Sequence, residues 1–439
     1  MRPFVVALLF ALPALAEPLT LPEAERLLAE RGFDALAAQA AVAGAEGDVL
    51  SQGASANPSF NAGALYSLPV KAPDGTALFA PALGFQLGLG DNAAVWDAVT
   101  GKKFLRRDVA AAALKAARAS RDDALRTLRL QLEQAFVAAL LAGDNRRFAE
   151  EVEKTYAQSA ALGKIRFDKG AIGAGEYARI ATATLEARQA IASARSAETQ
   201  ARAALLVFLG PREGVELPEP RAALEYRADA APAVATDADL KKLVDAAAAR
   251  RPDLLAAQST RQQKEAALTL ARRQRWPDVA LQATFGSQTN TTANPATVVS
   301  PPDFSLGVSL PLPVLYQQQG EVRRAESELA AARAAEGKSR AQVVTDVAGA
   351  AAALLAAREQ VGRMEHELLA QAKIARDVEE ELYTKGAASL LDYLDAERTW
   401  VAANLEHHQD VAQFWSALAQ LRAATAEPEP LPLEAKATP

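Results

Sequence analysis

Cysteine is absent from the 439-residue sequence, which removes disulfides, thiol nucleophiles and cysteine metal sites together. Histidine is scarce, with His366, His407 and His408 the whole supply, so groups for acid–base catalysis or metal ligation are few. Positive charge has no excess: 48 Lys and Arg stand against 54 Asp and Glu, a net of −6. The basic footprint of a nucleic-acid binder is therefore missing. No nucleophile–base–orienter constellation and no phosphate-binding loop is found, which argues against an enzyme.

Long apolar runs are also lacking. Residues 1–16 read as an export leader: Arg2 is the positive end, residues 4–12 the apolar run, and Ala14-Leu15-Ala16 the cleavage site. That run is too short to span a bilayer, and no later segment carries some 18 to 20 uninterrupted apolar residues. With no cysteine after the cleavage site, amino-terminal lipidation of the bacterial lipoprotein kind is excluded. The mature chain is expected to be exported and to lack a transmembrane helix.

What the chain does have is a repeat. Asp34-Ala-Leu-Ala-Ala-Gln39 matches Asp253-Leu-Leu-Ala-Ala-Gln258, and the same offset of 219 superposes Asn57-Pro58 on Trp276-Pro277. It also superposes Phe85-Gln-Leu-Gly88 on Phe304-Ser-Leu-Gly307 and Gly101 on Gly320. Phe167-Asp-Lys-Gly170 then matches Tyr383-Thr-Lys-Gly386 at an offset of 216. A register shared across so many points marks an internal duplication. The expected boundaries are a leader at 1–16, a first repeat at 17–210, a connector at 211–238, a second repeat at 239–425 and a proline-rich tail at 426–439.

Each repeat carries the same plan. A first helix is expected over 21–52 and again over 238–275. Two segments of period two follow, near 58–68 and 82–90, then near 277–287 and 303–312. Phe60, Ala62, Ala64 and Tyr66 alternate with Asn61, Gly63 and other small or polar residues; Leu281, Ala283 and Phe285 alternate with Gln282, Thr284 and Gly286. About ten residues of such alternation suit a transmembrane β-strand; a soluble sheet of half-buried hairpins is the alternative. The period then becomes helical. No proline interrupts 82–210 or 314–427, and Leu125, Leu128, Leu132 and Ala135 recur at three and four, as coiled-coil packing demands. Residues 102–167 are rich in strong helix formers and would make roughly 100 Å of helix at about 1.5 Å per residue, with Gly143-Asp-Asn145 a possible break. Returning helices are expected over 176–208 and 390–425. Four strands cannot close a barrel, and open edges are not tolerated in lipid. Copies must combine.

The turn over 382–395 draws the eye. Gly386 is the helix stop and Ser389 the start, and Asp392 and Asp395 share one face of the new helix. Gly170 marks the earlier copy, ahead of Glu176. Ser389 and Asp392 fit the Ser-x-x-acid cap, which explains Asp392 without any pore. Capping does not explain Asp395.

These features resemble the outer-membrane efflux ducts typified by TolC. The resemblance covers essentially the whole mature chain and rests on the duplicated plan and on Tyr383, Gly386, Ser389, Asp392, Leu394, Asp395 and Ala396 in the family's turn pattern. Arg250-Arg-Pro-Asp-Leu254 resembles a helix opening common in the family. Residues 310–321 resemble the heavy-metal (CzcC-like) branch. The resemblance implies a mainly α fold with transmembrane β, in which a trimer forms a twelve-stranded outer-membrane barrel continued by a periplasmic α-helical barrel. It implies a passive duct of a tripartite efflux or secretion system, without enzymatic activity or cofactor, joined by a periplasmic adaptor and an inner-membrane pump. Asp392 and Asp395 align with the acidic pair at the narrow mouth. Tyr383 and Glu176 align with a bonded pair that holds it shut, and Ala388 stands where the family has an arginine.

Bland alternatives remain: an exposed Tyr383, a capping Glu176, and a solvated helix face for His407 and His408, with no metal. Trp276 fits an interfacial anchor of an aromatic belt. The competing function is a periplasmic adaptor or other exported coiled-coil interaction protein, which would lack a duplicated strand pair between its helices.

Overall fold

The computed structural model describes residues 19–68, 70–71, 73–75, 77–79, 82–210, 217–232, 236–290, 298–299 and 301–433. The leader at 1–16 lies outside the described residues, as do parts of the connector, the tail and the loops between paired strands.

Helices α1 (Leu21–Arg31) and α2 (Phe33–Gly53) precede strands β1 (Ser59–Ser67), β2 (Val70–Lys71), β3 (Ala77–Phe79) and β4 (Ala82–Gly90). The short helix α3 (Ala94–Val99) leads into α4 (Lys102–Asp168), and α5 (Ala174–Leu209) returns from it. The second half repeats this order with α6 (Asp237–Arg250), α7 (Pro252–Arg273), β5 (Ala280–Asn290), β6 (Val298–Val299) and β7 (Asp303–Ser309). Helices α8 (Gln319–Arg363), α9 (Leu369–Thr384) and α10 (Leu390–Thr425) follow. The chain is mainly helical, with four principal antiparallel strands.

Several expectations need correction. Each single opening helix is two. Gly32 is extended between α1 and α2, with its Cα so close to the Leu28 carbonyl oxygen that a Cβ would sit 2.5 Å from it. Arg251 is extended between α6 and α7 because the ring of Pro252 disfavours helical backbone before it. The bend buries Arg251 against Asp253 (2.6 Å) and Asp346 (2.8 Å). Helix α4, by contrast, runs unbroken through Gly143. A five-residue π segment, Met364–Leu368, interrupts the second long helix. The third strand starts at Ala280 rather than 277, because the carbonyls of Trp276 and Pro277 accept from Lys102 Nζ (2.6 Å) and Trp96 Nε1 (3.2 Å) instead of joining a ladder. The fourth ends at Ser309, since Pro311 and Pro313 offer no N–H.

One stretch of the helical residues Gln319–Thr384 is long and apolar enough by composition to cross a membrane, with a mean hydropathy of 1.2. It is rich in alanine, and Val343, Val347, Ala351, Leu354 and Val361 of the same helix enter a protein core. One face of the stretch is thus packed, while about two thirds of it is not buried.

The chain divides into two compact units that cut across the repeats, because each repeat contributes to both. One takes in the described residues of Met1–Ala40, Ser120–Leu254 and Ser339–Pro439; the other those of Ala41–Ala119 and Leu255–Lys338. In the first, Leu132, Phe136, Leu354, Phe414 and Leu418 close a core of α4, α8 and α10. Trp415 seals it, donating from Nε1 to the Glu225 carbonyl at 3.0 Å. A second cluster joins Phe148, Val152 and Tyr156 of α4 to Ile180 of α5 and to Tyr383, Tyr393 and Leu394.

The second unit holds the sheet, in the order β1–β4–β5–β7, every pair antiparallel. Its register sorts the alternating residues into two faces. Phe60 lies opposite Leu89, Leu89 opposite Ala283 and Ala283 opposite Leu306; the next row is Ala62, Leu87, Phe285 and Phe304. The other face reads Asn61, Gly88, Thr284 and Ser305 across the same strands. Among the described residues no layer covers the apolar face: Phe60 is 64% and Leu306 77% exposed.

Candidate functional site

The two interhelix turns of the first unit are built alike. Each long helix stops at a glycine with positive φ, Gly170 at 73° and Gly386 at 76°, a conformation that costs little without a Cβ. Gly170 N–H bonds the Phe167 carbonyl and Ala171 N–H that of Arg166; Gly386 N–H bonds the Tyr383 carbonyl and Ala387 N–H that of Leu382. This paired capping satisfies carbonyls that the helix end leaves free.

The restart differs. Ser389 Oγ accepts from Asp392 N–H (3.2 Å) and donates to Asp392 Oδ2 (2.8 Å), a reciprocal cap. Gly173 opens α5 with no side-chain cap. Asp392 is thus engaged as a cap, while Asp395 is exposed and, among the described residues, its carboxylate takes part in no hydrogen bond or ion pair.

Each turn also carries a stacked aromatic pair. Phe167 lies over Tyr177 at 5.1 Å between ring centres and 11° between planes, and Tyr383 over Tyr393 at 5.2 Å and 3°. Both partners obey the offset of 216. Tyr383 is 5% exposed, not an exposed tyrosine, and among the described residues its hydroxyl has no hydrogen-bond partner. It makes no bond to the half-exposed Glu176. Ala388 carries no guanidinium, but Arg166 of α4 supplies one, 4.9 Å from the Tyr383 ring centre, and donates to the Thr384 carbonyl at 3.0 Å. Tyr393 Oη and Ser159 Oγ share a hydrogen bond of 3.2 Å. Tyr177, Tyr393 and Arg166 are contributors that sequence reasoning missed. The repeat could have exposed the two tyrosines, whereas nothing local marks Arg166.

His407 and His408 do not line a solvated face. Both are half-buried: His407 Nε2 lies 3.1 Å from Glu365 Oε1 and His408 Nδ1 3.0 Å from Asn145 Oδ1. Burial, helped by the neighbouring His407, pushes the His408 pKa down. Among the described residues no group of three His, Asp or Glu side chains could hold a metal.

In the second unit Trp276 is 66% exposed at the foot of β5. The buried Lys102 below it pairs with Asp278 at 2.7 Å. Arg273 Nε donates to the Thr100 carbonyl at 2.9 Å.

Residues 243–427 match the outer membrane efflux protein family. No curated protein matches the sequence. Among solved structures, CusC, described for its transmembrane channel formation, superposes with a TM-score of 0.75 over 92% of this chain and 91% of its own, at 19% identity. The outer membrane protein VceC of Vibrio cholerae gives 0.73 over 92% and 95%, at 18% identity. The open state of the MtrE outer membrane channel of Neisseria gonorrhoeae gives 0.71 over 92% and 88%, at 20% identity. At such identities these likenesses show the fold.

Proposed function

We infer that this chain, whose residues 243–427 match the outer membrane efflux protein family, is the protomer of an outer-membrane efflux channel that extends into the periplasm. The observation that carries the inference is the uncovered apolar face of the four-stranded sheet. A face this wide with no protein layer over it suits hydrocarbon, and the opposite small and polar face suits a wet lumen. Among the described residues strands β1 and β7 each keep one edge without a partner strand, and lipid tolerates no such edge. Copies must therefore combine to close a barrel; the family resemblance sets their number at three, giving twelve strands and a homotrimer in outer-membrane lipid.

Transport through it is passive and no residue acts as a catalyst. The turns at Gly170 and Gly386 form the periplasmic mouth, where a periplasmic adaptor and an inner-membrane pump engage. Asp395 of each copy faces the axis, joined by the capping residue Asp392. A ring of carboxylates attracts cations and repels anions. Tyr383, stacked on Tyr393 beside the Arg166 guanidinium, and Glu176 at the start of α5 are the mouth-closing contacts. Trp276 sits at the membrane interface. The finer assignment, to the heavy-metal branch of the family, rests on residues 310–321 alone. The strand pair between helices in each repeat disfavours the periplasmic adaptor.

Fractionation tests the role. The mature protein is expected in the outer-membrane fraction and to need detergent for extraction; recovery in the soluble periplasmic extract would refute it.

A further inference from the structure

Glu397 is 1% exposed, and among the described residues neither oxygen of its carboxyl has a hydrogen-bond partner. It lies on α10 in the stripe Tyr393, Leu394, Glu397, Trp400 and Val401, whose spacing of three and four puts one face of the helix into the cluster with Phe148, Val152 and Tyr156. An acid thus occupies a position that packing reserves for an apolar residue. Other deeply buried carboxyls have at least one partnered oxygen: Asp410 Oδ1 accepts from Gln360 at 2.7 Å, although its Oδ2 has no partner among the described residues, and Asp97 Oδ1 accepts from Arg106 at 2.9 Å.

The groups around Glu397 do not neutralise it. From α9, Arg376 donates to Asp377 (2.9 Å) and stands 4.3 Å from the Trp400 ring centre; Glu380 and Asp377 add negative charge. From α4, Tyr156 presents a phenol whose own pKa burial and Glu397 push up to about 12. On α10, Tyr393 is bonded to Ser159, and Arg398 pairs with Glu186 of α5 at 3.2 Å. Burial is the first cause holding the Glu397 carboxyl above its ordinary range; Arg376 opposes it, and Glu380 and Asp377 reinforce it. An ionised carboxylate here has no compensating bond, whereas a neutral one fits.

We propose that Glu397 is a positioning residue of the gate: while neutral it lets α10 pack on α4 and α9 and keeps Tyr393 stacked on Tyr383, and on ionising it releases that packing. The proposal rests on the channel reading of the two turns. The direction follows from linkage. Packing raises the pKa, so the packed form binds more protons than the opened, hydrated form. Its advantage is complete below the ordinary carboxylate value of 4.5 and is lost as pH rises through the raised value. Each copy shifts the packed-to-open ratio by at most about tenfold per pH unit. Under the repeat offset of 216, Ala181 holds the corresponding place in the first repeat, so only the second is proton-sensitive at this point.

The test compares the full-length wild type with Glu397→Gln, a neutral isostere, and Glu397→Asp between about pH 4.5 and pH 8. Open fraction in planar bilayers and hydrogen exchange of residues 390–401, corrected for the chemical rate, are read together. Opening and exchange are expected to rise with pH in the wild type and in Glu397→Asp. Glu397→Gln should stay at the low-pH level throughout. A Glu397→Gln profile that follows the wild type in both readouts overturns the proposal. If no form conducts, the channel reading fails, while the exchange profiles still decide the role of Glu397.

Discussion

The two turns share a stop and differ in everything that would make them respond. Gly170 and Gly386 end their helices with the same paired capping, and each turn carries the same aromatic stack at nearly the same ring distance. Yet Phe167 is 38% exposed whereas Tyr383 is buried, and Ser389 caps its helix while Gly173 has no side chain to do so. The second turn also has Asp395 where the first has Arg179, and Glu397 where the first has Ala181. Duplication supplied one scaffold, and the acids, the cap and the buried tyrosines set the second copy apart.

The largest expected difference lies in the stacks. Tyr383→Ala empties a buried site and should weaken its turn by roughly 3–5 kcal/mol. Phe167→Ala removes a half-exposed stack and should cost only about 1 kcal/mol. Hydrogen exchange at the two turns measures both. Equal losses would mean that the stacking both turns share, and not burial, sets the cost. The caps give the smaller contrast. Ser389→Ala should lower the stability of the first turn of α10 by about 1 kcal/mol, and Gly173→Ser should stabilise that of α5 by a few tenths of a kcal/mol; the same exchange measurement reads these changes. Gly173 is already extended, at φ −80° and ψ 161°, so serine enters without strain. No change in either would leave the cap out of the comparison.

Much of this architecture was legible in the sequence because it depends on local period. Alternation over 82–90 gives β4 its bounds, and a glycine followed by Ser-x-x-Asp places the start of α10. Of the two broken opening helices, the one at Gly32 was not legible, since helix formers run on through it, whereas Pro252 marked the other, and only the buried Arg251–Asp346 pair that fixes it joins residues distant in the chain. The strand shift at 277–280 escaped notice for the same reason, since Lys102 and Trp96 claim those carbonyls from 174 and 181 residues away. At the turns, the capping role of Asp392 could be read from four residues. The burial of Tyr383 depends on α4 and α10 closing together, and Arg166 reaches it from 217 residues away. Glu397 was visible as an acid in an apolar stripe, but its isolation emerges only when three helices surround it.

Cation block of single channels tests the central claim, that the second turn lines the mouth through Asp395. Purified protein in planar bilayers should be blocked by multivalent cations from the side of the helical turns. Asp395→Asn should relieve that block by an order of magnitude or more, while charge removal at Arg179 of the first turn should not. Block that persists unchanged in Asp395→Asn would contradict the account.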